Sequence, residues 1–271
     1  MSKANVVLVT NVAQGFGRAI ALAYGLAQHD VVCADRDVDM ASKTAAEIEE
    51  LGGQAIPIQA DMTTQMDVYN AFNKVFEIFG HLSGVIHVAT QESHTPFHTL
   101  SEAEFAELFA EDLKSSFLTL KTASRLLDQA WIVLVTPPRD ASEPQMSAVR
   151  GALTRLAASF SAQRQSIRVN VVVPSRAATD PKHDDTLVKT VLHLGSDEAE
   201  GVAGHQLFVT LPPPPQAVET LLPEVRAALD ETVRQDDLEA SIFGEFVETL
   251  DDQERFYIEP GGVRTIEDED T

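Results

Sequence analysis

Val6-Val7-Leu8-Val9-Thr10-Asn11-Val12-Ala13-Gln14-Gly15-Phe16-Gly17 decides the fold. The opening run is continuous and apolar, as a strand covered on both faces requires. A polar, glycine-bearing turn follows, and helical spacing of apolar residues sets in from Ala19 to Gln28. In a strand, turn and helix of this kind, glycines let the backbone approach a pyrophosphate, and the free N–H groups of the helix N-terminus favour its charge. The reading extends along the chain, where further strand-length runs occur at Val31–Ala34, Ala55–Ile58, Gly84–Val88, Trp131–Val135, Arg168–Val173 and Gln206–Val209. Helical spacing lies between them over Met40–Leu51, Met66–Phe79, Glu104–Leu127 and Met146–Gln163. This alternation predicts an α/β, doubly wound, seven-stranded parallel sheet of the Rossmann-like kind. Asp35 ends the second strand, 18 residues after Gly17, where an acid accepts hydrogen bonds from ribose hydroxyls and repels a 2′-phosphate. A dinucleotide bound here is therefore expected to be NAD.

The chain has 271 residues, 44% of them hydrophobic, enough for one substantial core but crowded for two. The formal charge of −22 disfavours nucleic acid and anionic membrane surfaces as partners. The charge is concentrated: residues 211–271 carry 17 acidic and 4 basic side chains, and this segment opens with Leu211-Pro212-Pro213-Pro214-Pro215, a stiff spacer. A Rossmann domain over 1–210 and an acidic C-terminal extension over 211–271 are expected. In the extension, Val218, Leu221, Leu222, Val225, Leu229 and Val233 have the spacing of one amphipathic helix, and Ile266–Thr271 the composition of a disordered acidic end. The apolar run after Met1 is too brief for a signal peptide, so a cytoplasmic protein is expected. Cys33, the single cysteine, sits in a strand run and reads as a buried hydrophobe.

From Val6 to Val209 the chain resembles the short-chain dehydrogenase/reductase family. Thr10-Asn11-Val12-Ala13-Gln14-Gly15-Phe16-Gly17 is similar to its Thr-Gly-x-x-x-Gly-x-Gly motif, Asp61-Met62 to its adenine-contacting Asp and following apolar residue, and His87-Val88-Ala89-Thr90 to its Asn-Asn-Ala-Gly. Arg168-Val169-Asn170-Val171-Val172-Val173-Pro174-Ser175 resembles Arg-Val-Asn-x-x-x-Pro-Gly, with Thr179 at the nicotinamide-contacting threonine. The resemblance implies a cofactor site formed by Asn11, Gln14, Gly15, Phe16, Gly17, Asp35, Asp61, Met62, Ala89 and Thr179. Asn11, Thr90 and Ser175 replace motif glycines.

The same resemblance implies a proton-transferring Tyr, a Lys that lowers its pKa, a Ser that holds the substrate oxygen and a supporting Asn. Here Met146 stands at the Tyr, Arg150 at the Lys, Pro137 at the Ser and Asp112 at the Asn. A thioether carries no transferable proton, and proline has neither hydroxyl nor N–H. Thr136 and Ser142 are the nearby hydroxyls that a shifted alignment would use. None of Tyr24, Tyr69 and Tyr257 precedes a Lys or Arg by four residues, and only Tyr257 could reach in, from the extension. Tyr-x-x-x-Arg occurs in the related halohydrin dehalogenases, but Met146 counts against that chemistry too. His87, His94, His98 and His183 are expected to be solvated loop residues rather than metal ligands. The expectation is a catalytically inactive member, a structural or regulatory subunit that pairs with an active paralogue through helices 104–127 and 146–163. The alternatives are an NAD-dependent oxidoreductase with a different proton donor and a non-redox enzyme using the same cleft.

Overall fold

The structure, a computed structural model, describes residues 5–90, 93, 95–141, 143–178 and 185–211, and the backbone of 245–248, 255–259 and 262–266. Seven strands, β1 (Val6–Thr10), β2 (Asp30–Asp35), β3 (Gln54–Gln59), β4 (Gly84–Val88), β5 (Ala130–Val135), β6 (Ile167–Pro174) and β7 (Gln206–Val209), form one parallel sheet in the order β3-β2-β1-β4-β5-β6-β7. The order reverses between β1 and β4, so the crevice at their carboxyl ends is the place where such sheets take a ligand.

The helices are α1 (Gly15–Leu26), α2 (Val38–Glu50), α3 (Gln65–Phe79), α4 (Glu102–Phe109), α5 (Ser115–Leu126), α6 (Pro144–Gln163) and α7 (Asp185–Leu194). Alternation along the strands sorts them into two layers. Val7, Val9, Val31 and Cys33 face Ile20 of α1, Ile48 of α2 and Val191 of α7. Val6, Leu8, Val32 and Val85 face Phe72 of α3, Leu120 of α5 and Ala157 of α6. Both faces of the sheet are thus dry, which is why the strand runs are uniformly apolar rather than alternating.

Several features depart from the sequence reading. Helix α1 begins at Gly15 rather than Ala19, because the glycine turn itself forms the first helical turn. The expected helix 104–127 is α4 and α5 joined by a π-helical turn, Ala110–Lys114, one residue wider than an α-turn. Helix α7, which periodicity did not single out, packs Leu187, Val191 and Leu194 onto the sheet. The expected amphipathic helix of the extension lies outside the described residues. Leu211, with which the extension was expected to begin, is buried, and its N–H donates to Ser175 Oγ at 2.9 Å. Further on, β8 (Glu245–Glu248), β9 (Arg255–Glu259) and β10 (Gly262–Ile266) pair antiparallel, so Ile266 ends a strand instead of opening an unstructured tail.

Candidate functional site

The turn after β1 is held by close approach. A Cβ on Gly17 would stand 2.0 Å from the Asn11 carbonyl oxygen, so α1 can lie this near β1 only with glycine there. Asn11 and Gly15 both have positive φ, 56° and 60°. Asparagine is the side chain that tolerates this best, so Asn11 keeps the backbone path of the glycine it replaces. Its side-chain amide donates to the Val88 carbonyl, lacing the end of β1 to the end of β4 across the switch point. Helix α1 has no side-chain cap at Gln14 and no acid in its first turn, leaving its N-terminus suited to an anion. Phe16 is turned into the core. The loop after β6 closes over this turn: Ala178 Cβ lies 3.5 Å from where a Gly15 Cβ would be.

Asp35 is half-buried at the end of β2; one carboxylate oxygen accepts from Ala13 N at 2.9 Å and the other from Asp37 N at 3.1 Å. Each oxygen keeps a lone pair for a ribose hydroxyl, so the acid is already oriented toward the glycine turn. Asp61 accepts from Thr63 N (2.8 Å), Thr63 Oγ1 (2.7 Å) and Arg36 Nη2 (3.0 Å). Burial alone would raise its pKa, but Thr63 and Arg36 outweigh that and hold the carboxyl below its ordinary value. Met62 is buried beneath it. Arg36 was missed at the level of sequence, although it directly follows Asp35; it also pairs with Glu111 at 2.6 Å.

His87 was expected in a solvated loop and is instead fully buried in β4. Its Nδ1 lies 3.0 Å from Thr10 Oγ1 and its Nε2 2.9 Å from Ser115 Oγ. The Ser115 hydroxyl donates to backbone carbonyls of the π-turn, Asp112 O among them at 3.1 Å. Ser115 therefore accepts from Nε2–H, and Nδ1 accepts from Thr10, which fixes a neutral tautomer. Burial lowers its pKa to about 4, in keeping with a structural imidazole.

The residues that the resemblance places at the proton-transfer positions have apolar or committed surroundings. Met146 is fully buried among Ala89, Leu108, Val149 and Leu153. Pro137 is buried at the end of β5, where the neighbouring Thr136 hydroxyl donates to the Pro137 carbonyl at 3.2 Å. Arg150 Nη1 donates to Pro138 O (2.6 Å) and Ala141 O (3.0 Å), and Nη2 to Ser147 Oγ (2.8 Å). Burial, with Arg139 nearby, lowers the Arg150 pKa from its ordinary value, though a guanidinium stays charged. The loop it holds is further pinned by Arg139 N to Pro174 O (2.8 Å) and Asp140 N to Ser175 O (3.1 Å). Asp112 is buried in the π-turn. Gln145, overlooked in the sequence, is buried beside Met146 and donates to Thr95 O at 2.9 Å, tying α6 to the segment after β4.

Of the tyrosines, Tyr24 is buried, donates to Val191 O at 3.0 Å and has its pKa pushed far up by burial; Tyr69 is exposed on α3. The side chain of Tyr257, and Thr179, Ser142, His94 and His183, lie outside the described residues. His98 is exposed, as expected, and the Cys33 thiol is buried, its pKa pushed up to about 12 by desolvation. Among the described residues no group of three or more His, Cys, Asp and Glu could hold a metal ion, and no helix is long and apolar enough to cross a membrane.

An outer apolar face runs along Phe105, Phe109, Leu113 and Phe117. Phe105 and Phe117 are exposed, and a groove of about 530 Å³ lies between Phe109, Leu113, Phe117 and Leu156 of α6.

A family model described as short chain dehydrogenase matches residues 5–187. A short chain dehydrogenase of Claviceps purpurea is 29% identical over 187 residues, 66% of this chain and 71% of the relative. A 1-cyclohexenylcarbonyl-CoA reductase of Streptomyces collinus is 31% identical over 124 residues, covering 45% of this chain and 44% of the relative. Among solved structures, a hydroxysteroid dehydrogenase from Escherichia coli superposes with TM-score 0.70 at 21% identity, covering 76% of this chain and 95% of that one. A 7α-hydroxysteroid dehydrogenase complexed with NADH and 7-oxo glycochenodeoxycholic acid gives TM-score 0.68 at 20% identity, covering 76% and 92%.

Proposed function

The chain belongs to the short-chain dehydrogenase/reductase family, and from that premise we propose that it is a member without proton-transfer chemistry, serving as a structural or regulatory subunit beside an active relative. The observation that carries this reading is Met146, fully buried in an apolar cluster at the alignment position of the proton donor. Proton transfer needs a titratable group within hydrogen-bond reach of the reacting oxygen. Pro137 has no donor, the Thr136 hydroxyl is turned onto backbone, and Arg150 is bound to the loop carbonyls.

The residues of the adenosine half fit a nucleotide. Asp35 would hold the ribose and the uncapped α1 N-terminus a phosphate, while Ala178 narrows the passage over Gly15. A bound nicotinamide dinucleotide would supply hydride transfer, and Met146 and Pro137 offer no group for the accompanying proton. The reading of cofactor preference follows Asp35: its charge favours NAD over a 2′-phosphorylated dinucleotide.

The subunit role rests on the face of α4, the π-turn, α5 and α6. Exposed Phe105 and Phe117 flank an apolar groove on a chain of otherwise acidic character. Aromatic residues around a groove are typical of a protein interface. Co-expression with a Tyr-x-x-x-Lys relative encoded in the same genome, followed by analytical ultracentrifugation, tests it. A stable hetero-oligomer that Phe117→Glu disperses is expected; homo-oligomers alone would refute the pairing.

A further inference from the structure

We propose that Arg36, Asp61 and Glu111 form a clasp over the adenosine half of the crevice, so that an adenine nucleotide lacking a 2′-phosphate binds only when Arg36 has let go of one carboxylate. This rests on the nucleotide crevice of the fold and not on the absence of catalysis.

The argument is topological first. Arg36 follows β2, Asp61 follows β3, and Glu111 lies in the π-turn beyond β4. In the strand order β3-β2-β1-β4, a bridge from the β3 side to the helix after β4 crosses the rim above β2 and β1. That rim is where Asp35 and the glycine turn would hold ribose and phosphate. The chemistry agrees. A single guanidinium nitrogen, Nη2, serves both acids, 3.0 Å from Asp61 Oδ1 and 2.7 and 2.6 Å from the two Glu111 oxygens. One cation therefore holds two carboxylates that would otherwise repel, and the π-turn brings Glu111 within its reach.

The clasp is also tied to the floor of the crevice. The Glu111 carbonyl accepts from Ser115 Oγ, which meets His87, which meets Thr10 beside Asn11. The acids are thus anchored: Asp61 by Thr63, and Glu111 by the π-turn and its Ser115 bond. Arg36, 48% exposed at its side chain, is the most exposed of the three. An arriving nucleotide competes with ion pairs rather than with packing.

ADP titrated calorimetrically into the full chain tests the clasp, with circular dichroism melts to confirm that each variant is folded. Exposed ion pairs contribute a few tenths to 1 kcal/mol each, so Arg36→Ala is expected to tighten ADP by about threefold to tenfold. Glu111→Gln should tighten it in the same direction and serves if Arg36→Ala does not fold. The ratio of wild type to variant should fall toward one in about 1 M salt, where the screening length is about 3 Å. Weaker ADP binding in Arg36→Ala would overturn the clasp by making Arg36 a nucleotide contact. Unchanged affinity, or no binding of millimolar ADP to any of the three proteins, would overturn it as well. These outcomes are independent of partner pairing, since the chain is titrated alone.

Discussion

Arg150 and His87 are both committed to internal hydrogen bonds. The Arg150 guanidinium satisfies two loop carbonyls and a serine hydroxyl. Arg150→Ala leaves the buried Pro138 carbonyl and the partly buried Ala141 carbonyl without their donor and should lower stability by roughly 2 kcal/mol, read as a shift of the urea midpoint. His87 gives a pH signature. Its folded pKa of about 4 lies below the ordinary 6.5, so the unfolded chain binds the extra proton between those values. Stability is therefore full above about pH 6.5 and falls as the pH drops toward 4, by about 3 kcal/mol from this group. Urea unfolding at pH 7 and pH 4.5 should show a larger loss in the wild type than in His87→Asn; an equal loss would contradict the neutral, doubly bonded imidazole. The apolar strand run Gly84–Val88 already pointed to burial of His87; what the sequence could not reveal is its partners, Thr10 and Ser115, 77 and 28 residues away.

At the scale of elements, the β1–α1 turn is where sequence and structure agree most closely. Gly17 must be glycine on steric grounds, and Gly17→Ala should unfold the turn or cost several kcal/mol, on the order of other overpacked sites. Gly15→Ala, constrained by φ and not by space, should cost roughly 1 kcal/mol. Asn11→Gly should be close to neutral, since the positive φ is relieved as the bond to Val88 is lost. Thermal melts of the three variants check this order. The π-turn, in contrast, was not distinguished in the sequence: Glu104–Leu127 read as one continuous helix, and only the backbone hydrogen bonding shows that Glu111 and Asp112 occupy a widened turn. Helix α7 escaped notice because its apolar residues follow a polar, proline-bearing segment that masks the helix start.

At the scale of the whole molecule, the doubly wound sheet was legible because the two helix layers keep most residues of the inner strands dry, and hydrophobic runs record that directly. The surroundings of Met146 were not legible, since its cluster draws on Ala89 after β4, on α4 and on α6 at once. The charge of −22 makes the folded chain repel itself, so added sodium chloride should raise its thermal midpoint, a few degrees at most between low and physiological salt. The proposed lack of proton-transfer chemistry is tested most directly by NADH oxidation with a panel of ketones, and NAD reduction with the matching alcohols, in wild type and Arg150→Ala. The account predicts no turnover above the protein-free rate in either protein. Turnover in the wild type that disappears in Arg150→Ala would contradict it.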